Sequence, residues 1–342
     1  MAKNNQKYLD ERAERLADEV FKLADKSETE LLAIFTGTGR EMSSQVAEFY
    51  GKYGKSQESP VFTTLPDGTK VITGYTTKIV VPPEVALSKQ GSKVSRIEKL
   101  NASLNELIKT QTKEQLLTTT NVLKGIANTA YYDTMFTIYS SIGVGQSFTL
   151  LTPAMLNSLI KNPVNGADFV ERTNLNNNAL ANRVNQTLRN GITQGLGIKD
   201  MTASLQKNMN IGYNDAKRII QTEANNSMSQ AAMESYKASG VVEEYIYIAT
   251  LDSKTSDICT DLDGQTFPLD KAVTGLNFPP MHPNCRSTTG AYFKDLPALE
   301  TRMARDAETG KNFYVPGDMN VKDFKAIYAD KTITRSEWDK SR

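Results

Sequence analysis

A mainly helical α+β fold is predicted by three features of the sequence. Apolar residues recur at three- and four-residue spacing through most of the chain up to Gly240. A run of strand formers interrupts that pattern between Pro60 and Val81, and a second strand-and-turn pattern follows from Val241 to Phe267. Period near 3.6 marks amphipathic helices and β-branched alternation marks strands, so the order reads as a helical N-terminal part with a β-hairpin insertion followed by an α+β module. Divided along the chain, this gives N-terminal helices with the hairpin (1–90), a helical middle (91–164), the α+β module (165–292) and a tail (293–342).

From Gln6 to about Lys26, Leu9, Leu16, Val20, Leu23 and Ala24 form one stripe between charges. Ser27 with Glu30 has the spacing of a capping box, which predicts that a second helix starts there. Val61, Phe62, Val71, Ile72, Ile79, Val80 and Val81 are strand formers, and Asp67-Gly68 suits a hairpin turn. Pro82-Pro83 ends that insertion, and Gly91-Ser92 is a linker candidate.

Helical spacing resumes at Val94, Ile97, Leu100, Leu104, Leu107 and Ile108 and continues, with breaks, to Tyr139. Gly143, Gly145 and Pro153 punctuate a connection toward Met155–Ile160. Leu175, Leu180, Val184 and Leu188 define another helix that Gly195 and Gly197 should end, with two shorter helices at Met201–Met209 and Asn214–Ser239 before Gly240. Val241–Thr250 reads as a strand with Tyr245, Tyr247 and Ala249 on one face, and Asp263-Gly264 as a turn into Gln265–Phe267. Mixed charge after Lys294 predicts a loosely packed tail.

The bulk numbers narrow the function. A chain of 342 residues is long enough for two or three packed units. With 40 Lys and Arg against 39 Asp and Glu, no uniform field draws the molecule to nucleic acid or an anionic membrane, so any DNA contact must be local. No apolar run reaches the roughly 18–20 residues of a membrane span, and the start lacks a signal-peptide h-region, which predicts synthesis in the cytoplasm. Two cysteines, Cys259 and Cys285, exclude a disulfide framework.

The densest pattern lies between Asp252 and Arg286. It runs Asp252-Ser253-Lys254-Thr255, Cys259, Leu262-Asp263-Gly264-Gln265-Thr266-Phe267, then Pro279-Pro280-Met281-His282-Pro283-Asn284-Cys285-Arg286. This ordered set resembles the C-terminal region of the Mu F-like phage head morphogenesis family. Weaker similarity extends upstream through Asn165-Gly166-Ala167-Asp168-Phe169, Gly191–Gly197 and Ala216–Ala224, with Gln221-Thr222-Glu223 where the family usually has Arg-Thr-Glu.

The resemblance implies a minor capsid protein of the virion, inside the head near the portal, made in the host cytoplasm and needed for head morphogenesis. Its implied partners are the portal protein, packaged double-stranded DNA that it accompanies on ejection, and other copies of itself. Some family members carry an added toxin domain after the motif, and the residues following Arg286 are too few for one. No enzyme activity is expected. The rival readings are a non-specific DNA-binding protein that travels with the genome and a metal- or Cys-dependent enzyme.

For chemistry, Cys259, His282 and Cys285 offer three zinc ligands; a fourth would have to be Asp252, Asp257, Asp261 or water. Relatives often add cysteines where this chain has Ser256 and Ser287, so no cofactor is the expectation. A deaminase reading lacks the Glu beside the ligating His. Cys nucleophilicity would need His282 as its base. The architectural reading assigns Asp252, Thr255, Cys259, Gly264, Phe267, Pro280, His282, Pro283, Asn284, Cys285 and Arg286 to a folded loop. In it Phe278-Pro279-Pro280 forms an extended entry, Arg286 pairs with Asp252 or Asp263, and the loop is stapled to the Tyr245–Thr250 strand with both thiols buried.

Weaker signals remain. Gly37-Thr38-Gly39 and Gly143-Val144-Gly145 read as ordinary turns. Glu223 reads as a solvated or paired carboxylate. Arg183, Arg189, Lys207, Lys217 and Arg218 are candidate phosphate contacts, set against an equally plain reading as a solvated face.

Overall fold

Helix α1 runs from Gln6 to Tyr53 without interruption, where the sequence predicted a new helix at Ser27. The Ser27 hydroxyl donates to the carbonyl of Ala24 (2.6 Å), so it is satisfied inside the helix and caps nothing. Gly37 and Gly39, expected in turns, lie in the same helix; a Cβ on Gly39 would sit 3.3 Å from Met209. This computed structural model describes residues 6–89, 91–142, 149–294, 301–305, 311–316, 319 and 321–340. The Gly143-Val144-Gly145 reading lies outside the described residues.

After α1 come β1 (Lys55–Thr64), β2 (Lys70–Val80), a single turn α2 (Pro83–Ala86) and helix α3 (Arg96–Ile142). Then follow α4 (Pro153–Ile160), α5 (Phe169–Thr193) and α6 (Ile198–Ser239). The C-terminal part holds β3 (Glu244–Ile248), α7 (Asp257–Leu262), β4 (Thr266–Pro268), β5 (Thr288–Tyr292), β6 (Thr301–Arg305), β7 (Asn312–Pro316), α8 (Val321–Phe324) and α9 (Arg335–Lys340). The chain is thus α+β and mainly α, as predicted. The breaks expected within α3 and between Met209 and Asn214 are absent. Gly212, at the second of these, is a packing residue: a Cβ there would stand 2.9 Å from Phe35 and 3.0 Å from Leu180.

Helix ends follow the glycine signals more faithfully. Gly195 has φ +66°, with Leu196 N donating to Gly191 O (2.7 Å) and Gly195 N to Ile192 O (3.1 Å), the bond pair of a Schellman motif. Gly240, also at φ +66°, stops α6.

Packing groups the residues into two units, neither a continuous stretch: the first takes Met1–Glu28, Thr118–Val170 and Arg218–Arg342, the second Thr29–Leu117 and Glu171–Lys217. The segments 1–90, 91–164, 165–292 and 293–342 divide the chain in order, whereas α1, α3 and α6 each contribute to both units.

In the second unit Leu31, Phe35, Met42, Leu104, Leu180, Val184, Leu188, Met201 and Leu205 are all at most 2% exposed and form its core. The β1–β2 ribbon belongs to this unit. Its strands pair antiparallel from Lys55↔Val80 to Thr64↔Lys70, with a bulge beside Val61/Phe62. The polar stretch Lys55–Ser59, which carries no strand signal of its own, is recruited by that pairing. Leu65–Gly68 closes the turn, with Gly68 at φ +86° and the Asp67 carboxylate accepting from Thr69 N (2.9 Å). That backbone bond holds the Asp67 carboxyl below the ordinary range.

Residues opposite one another across a ribbon share a face, and alternate residues along a strand do too. Ser56/Ile79, Pro60/Tyr75 and Phe62/Ile72 therefore point the same way. Phe62, Ile72, Tyr75 and Ile79 are 55%, 51%, 65% and 48% exposed, so that face, interrupted by the polar pair Glu58/Thr77, presents four large apolar side chains that no described residue covers fully. The base is anchored: Lys78 Nζ donates to Gly195 O (2.9 Å) and Tyr50 OH to Leu196 O (2.9 Å).

In the first unit the sheet order is β4-β3-β5, all antiparallel. The alternation read for the strand holds, with Tyr245 and Tyr247 fully buried. The Gln6 side chain donates to Ala291 O (2.7 Å) and accepts from Phe293 N (3.2 Å), so it covers the free edge of β5. The segment after Lys294 departs from the loose tail the sequence predicted. Ala304, Val315, Met319, Phe324, Ile327 and Trp338 pack in one cluster with Tyr247, Leu251, Cys259, Met281 and Cys285. Those residues lack a clear period, and the mixed charge between them concealed their burial.

Candidate functional site: the Cys259–Arg286 loop

Ser256 opens the site. Its hydroxyl accepts from Cys259 N (3.4 Å) and so caps α7, a helix that the sequence reading missed although a Ser with Asp257 in the first turn signals such a start. One turn in, Cys259 points inward at 2% exposure. Gly264, at φ +78°, turns the chain into β4, and its N–H donates to Tyr247 O (2.9 Å). Phe267 then packs on Tyr245 with ring centroids 5.6 Å apart, and Phe278 meets the same ring edge-on at 5.3 Å.

The return arm enters through Pro279-Pro280, joined by a cis peptide rather than a simple extended segment. His282, Pro283 and Asn284 form a tight turn: Cys285 N donates to His282 O (3.1 Å) and Asn284 sits in the left-handed region at φ +58°. Arg286 pairs with Asp252, which settles the choice between Asp252 and Asp263; the Asp263 carboxylate instead accepts from Ala249 N (2.9 Å). Thr250 Oγ1 donates to Arg286 O (2.8 Å), stapling the loop to the end of β3, while Thr255 Oγ1 donates to Thr250 O.

Two residues outside the loop hold it, and the sequence reading named neither for that role. Asn225, fully buried on α6, donates from one amide nitrogen to Cys285 O and Ser287 O, both at 2.8 Å. One turn earlier, Thr222 Oγ1 accepts from Asn284 N (3.0 Å). No apolar pattern singles Asn225 out, because its neighbours on the helix face include Gln221, Thr222 and Ser229, and its burial is set by the loop that packs on it. Glu223 is fully buried and accepts from Asn226 Nδ2 (3.2 Å), which removes the solvated reading and keeps the paired one.

At the centre, Cys259 Sγ lies 3.8 Å from Cys285 Sγ and 3.5 Å from His282 Nε2, and Ser256 Oγ lies 2.9 Å from the same Nε2. The ligand atoms of Cys259, His282 and Cys285 all fall within 4.8 Å of one another. Tyr247 OH donates to Cys259 Sγ (3.3 Å). Hydrogen bonding from Cys285 holds the Cys259 thiol well below the ordinary range, and the same bond with burial raises that of Cys285, so the pair shares one proton. Burial raises Tyr247 far above the usual phenol range.

Arg183 is half-buried and stands 3.9 Å from Asp215. Arg189, Lys207, Lys217 and Arg218 are exposed on α5 and α6.

Residues 182–290 match the family model described as Phage Mu protein F like protein, a span that contains the whole loop and its Thr222–Asn225 clamp. The module is Mu F-like, as its resemblance predicted, and the match points to a phage head-morphogenesis protein. A curated relative is the NAD(+)--arginine ADP-ribosyltransferase EFV of Enterococcus faecalis (strain ATCC 700802 / V583), 24% identical over 151 residues, which are 43% of this chain and 31% of that protein. The chain thus spans about a third of that relative's length. No solved structure matches it. Among the described residues no helix is long and apolar enough to cross a membrane.

Proposed function

We propose that this chain is a bacteriophage minor head protein that sits inside the head against the portal, is needed for head morphogenesis, and is packaged and ejected with the DNA. The observation that carries the proposal is the family match over 182–290, whose C-terminal part is a loop tied into the fold by backbone carbonyls that accept from Asn225 and Thr250. In this reading the loop is architectural and makes or breaks no bond. The exposed apolar side chains Phe62, Ile72, Tyr75 and Ile79 of the β1–β2 ribbon are the contact with the portal protein, because a two-stranded ribbon is marginal in water and gains from having them covered. Exposed Arg189, Lys207, Lys217 and Arg218 supply the local contacts to packaged duplex that a near-neutral chain requires.

Mass spectrometry of purified virions before and after DNA release tests this: the polypeptide is expected in filled heads and depleted in emptied ones. Its absence from infectious particles would overturn the reading. The Enterococcus relative's name gives a second reading, transfer of ADP-ribose from NAD+ to arginine. Incubating the purified chain with labelled NAD+ and an arginine-rich acceptor separates the two, since an architectural loop leaves the acceptor unlabelled.

A further inference from the structure

We propose that Cys259, His282 and Cys285 bind one zinc ion through a three-ligand site whose fourth position is taken by oxygen, from water or the Ser256 hydroxyl. Zinc holds thiolate sulfur at about 2.3 Å and imidazole nitrogen at about 2.0–2.1 Å in a tetrahedron, which sets the edges at about 3.8 Å between two sulfurs and about 3.6 Å between sulfur and nitrogen. The observed edges are 3.8 Å for Cys259–Cys285 and 3.5 Å for Cys259–His282. The third edge, between Cys285 and His282, lies within 4.8 Å, so binding draws these two ligand atoms together.

The histidine tautomer fits as well. His282 Nδ1 lies 2.9 Å from the carbonyl of Pro283, which only accepts, so Nδ1 carries the proton. The lone pair is therefore on Nε2, the atom that faces Cys259, and the backbone bond fixes the ring as outer partners of metal-bound histidines do. Tyr247, donating to Cys259 Sγ, supplies a second such partner. Two sulfurs and one imidazole form a borderline-soft set, which selects zinc over magnesium or calcium.

Oxygen completes the set because Ser256 Oγ stands 2.9 Å from Nε2, and a cavity of about 30 Å³ opens beside it, lined in part by Thr255, Asn284 and Ser287. That volume admits a single water. A site with three protein ligands and one exchangeable oxygen binds less tightly than a four-thiolate one, so metal content depends on the zinc supplied.

Titrating the reduced full chain with Co2+ tests the site by absorption. One equivalent should produce the intense visible bands of tetrahedral cobalt with a thiolate charge-transfer band, displaced by zinc. His282→Gln, at a half-buried position, should abolish those bands with the far-ultraviolet circular dichroism intact. Ser256→Cys should strengthen the charge-transfer band and tighten binding by about tenfold or more. A reduced wild-type chain that gives no tetrahedral bands overturns the inference, as do bands unchanged by His282→Gln.

Discussion

In the Cys259–Arg286 loop Cys259, Phe278, Met281 and Cys285 are 2%, 2%, 7% and 0% exposed, and Asn225 and Thr222 clamp the backbone around them. The β1–β2 ribbon does the reverse, leaving Phe62, Ile72 and Tyr75 each more than half exposed on one face. The first region uses its apolar residues to fix its own shape, and the second leaves them exposed, as the proposed contact requires. Motif density therefore marks where the fold is specified, while the region offering contact carries no motif. A substitution in the loop should act on stability, and one on the ribbon face should act on association.

The largest effect is expected at Asn225. Asn225→Leu removes the donor of two buried bonds and leaves the carbonyls of Cys285 and Ser287 unsatisfied, at about 1–3 kcal/mol for each. Urea unfolding should show a loss of roughly 2–5 kcal/mol, with the same chain retaining its ribbon contacts; a change under 1 kcal/mol would remove the clamp.

Alkaline titration sharpens the comparison next. Burial raises Tyr50, at the base of the ribbon, to about 12, and raises Tyr236, Tyr245 and Tyr247 around the loop beyond that. A phenol whose folded value exceeds its unfolded one stabilises fully below the unfolded value near 10 and loses that contribution as pH rises through the folded value. Stability should fall from about pH 10 upward, and near-ultraviolet absorbance should show Tyr50 ionising before the three loop tyrosines. Simultaneous ionisation of all four would contradict the ranking.

The smallest effect on stability belongs to the ribbon face. Phe62→Asp replaces a side chain that is 55% exposed and should move the unfolding midpoint within the range of ordinary surface changes, about 0.5 kcal/mol. Its consequence should appear in co-purification with the portal protein, which is expected to be lost. Retained co-purification would place the contact elsewhere.

Some of this was legible from residue order alone. The periodicity of α5, the Gly195 and Gly240 stops, the Asp67-Gly68 hairpin and the strand at Tyr245–Ile248 are local matters, decided by spacing and backbone freedom within a few residues. Breaks predicted at Ser27 and near Gly212 failed because long-range packing of Leu31, Phe35 and Leu180 outweighs a local cap or a single glycine. The segment after Lys294 failed for a related reason: apolar residues without a clear period acquire meaning only when Cys259 and Cys285 supply the surface they cover.

For the site, the sequence by itself determined the cast, since Asp252, Cys259, His282, Cys285 and Arg286 stand at fixed positions that a pattern can register. Only the tertiary structure decided which carboxylate takes Arg286, that Asn225 and Thr222 hold the loop, and that the Cys259 sulfur stands 3.8 Å from that of Cys285 and 3.5 Å from the His282 ring nitrogen. Those pairings join residues as much as 62 positions apart, and no local preference encodes a distance across such a span.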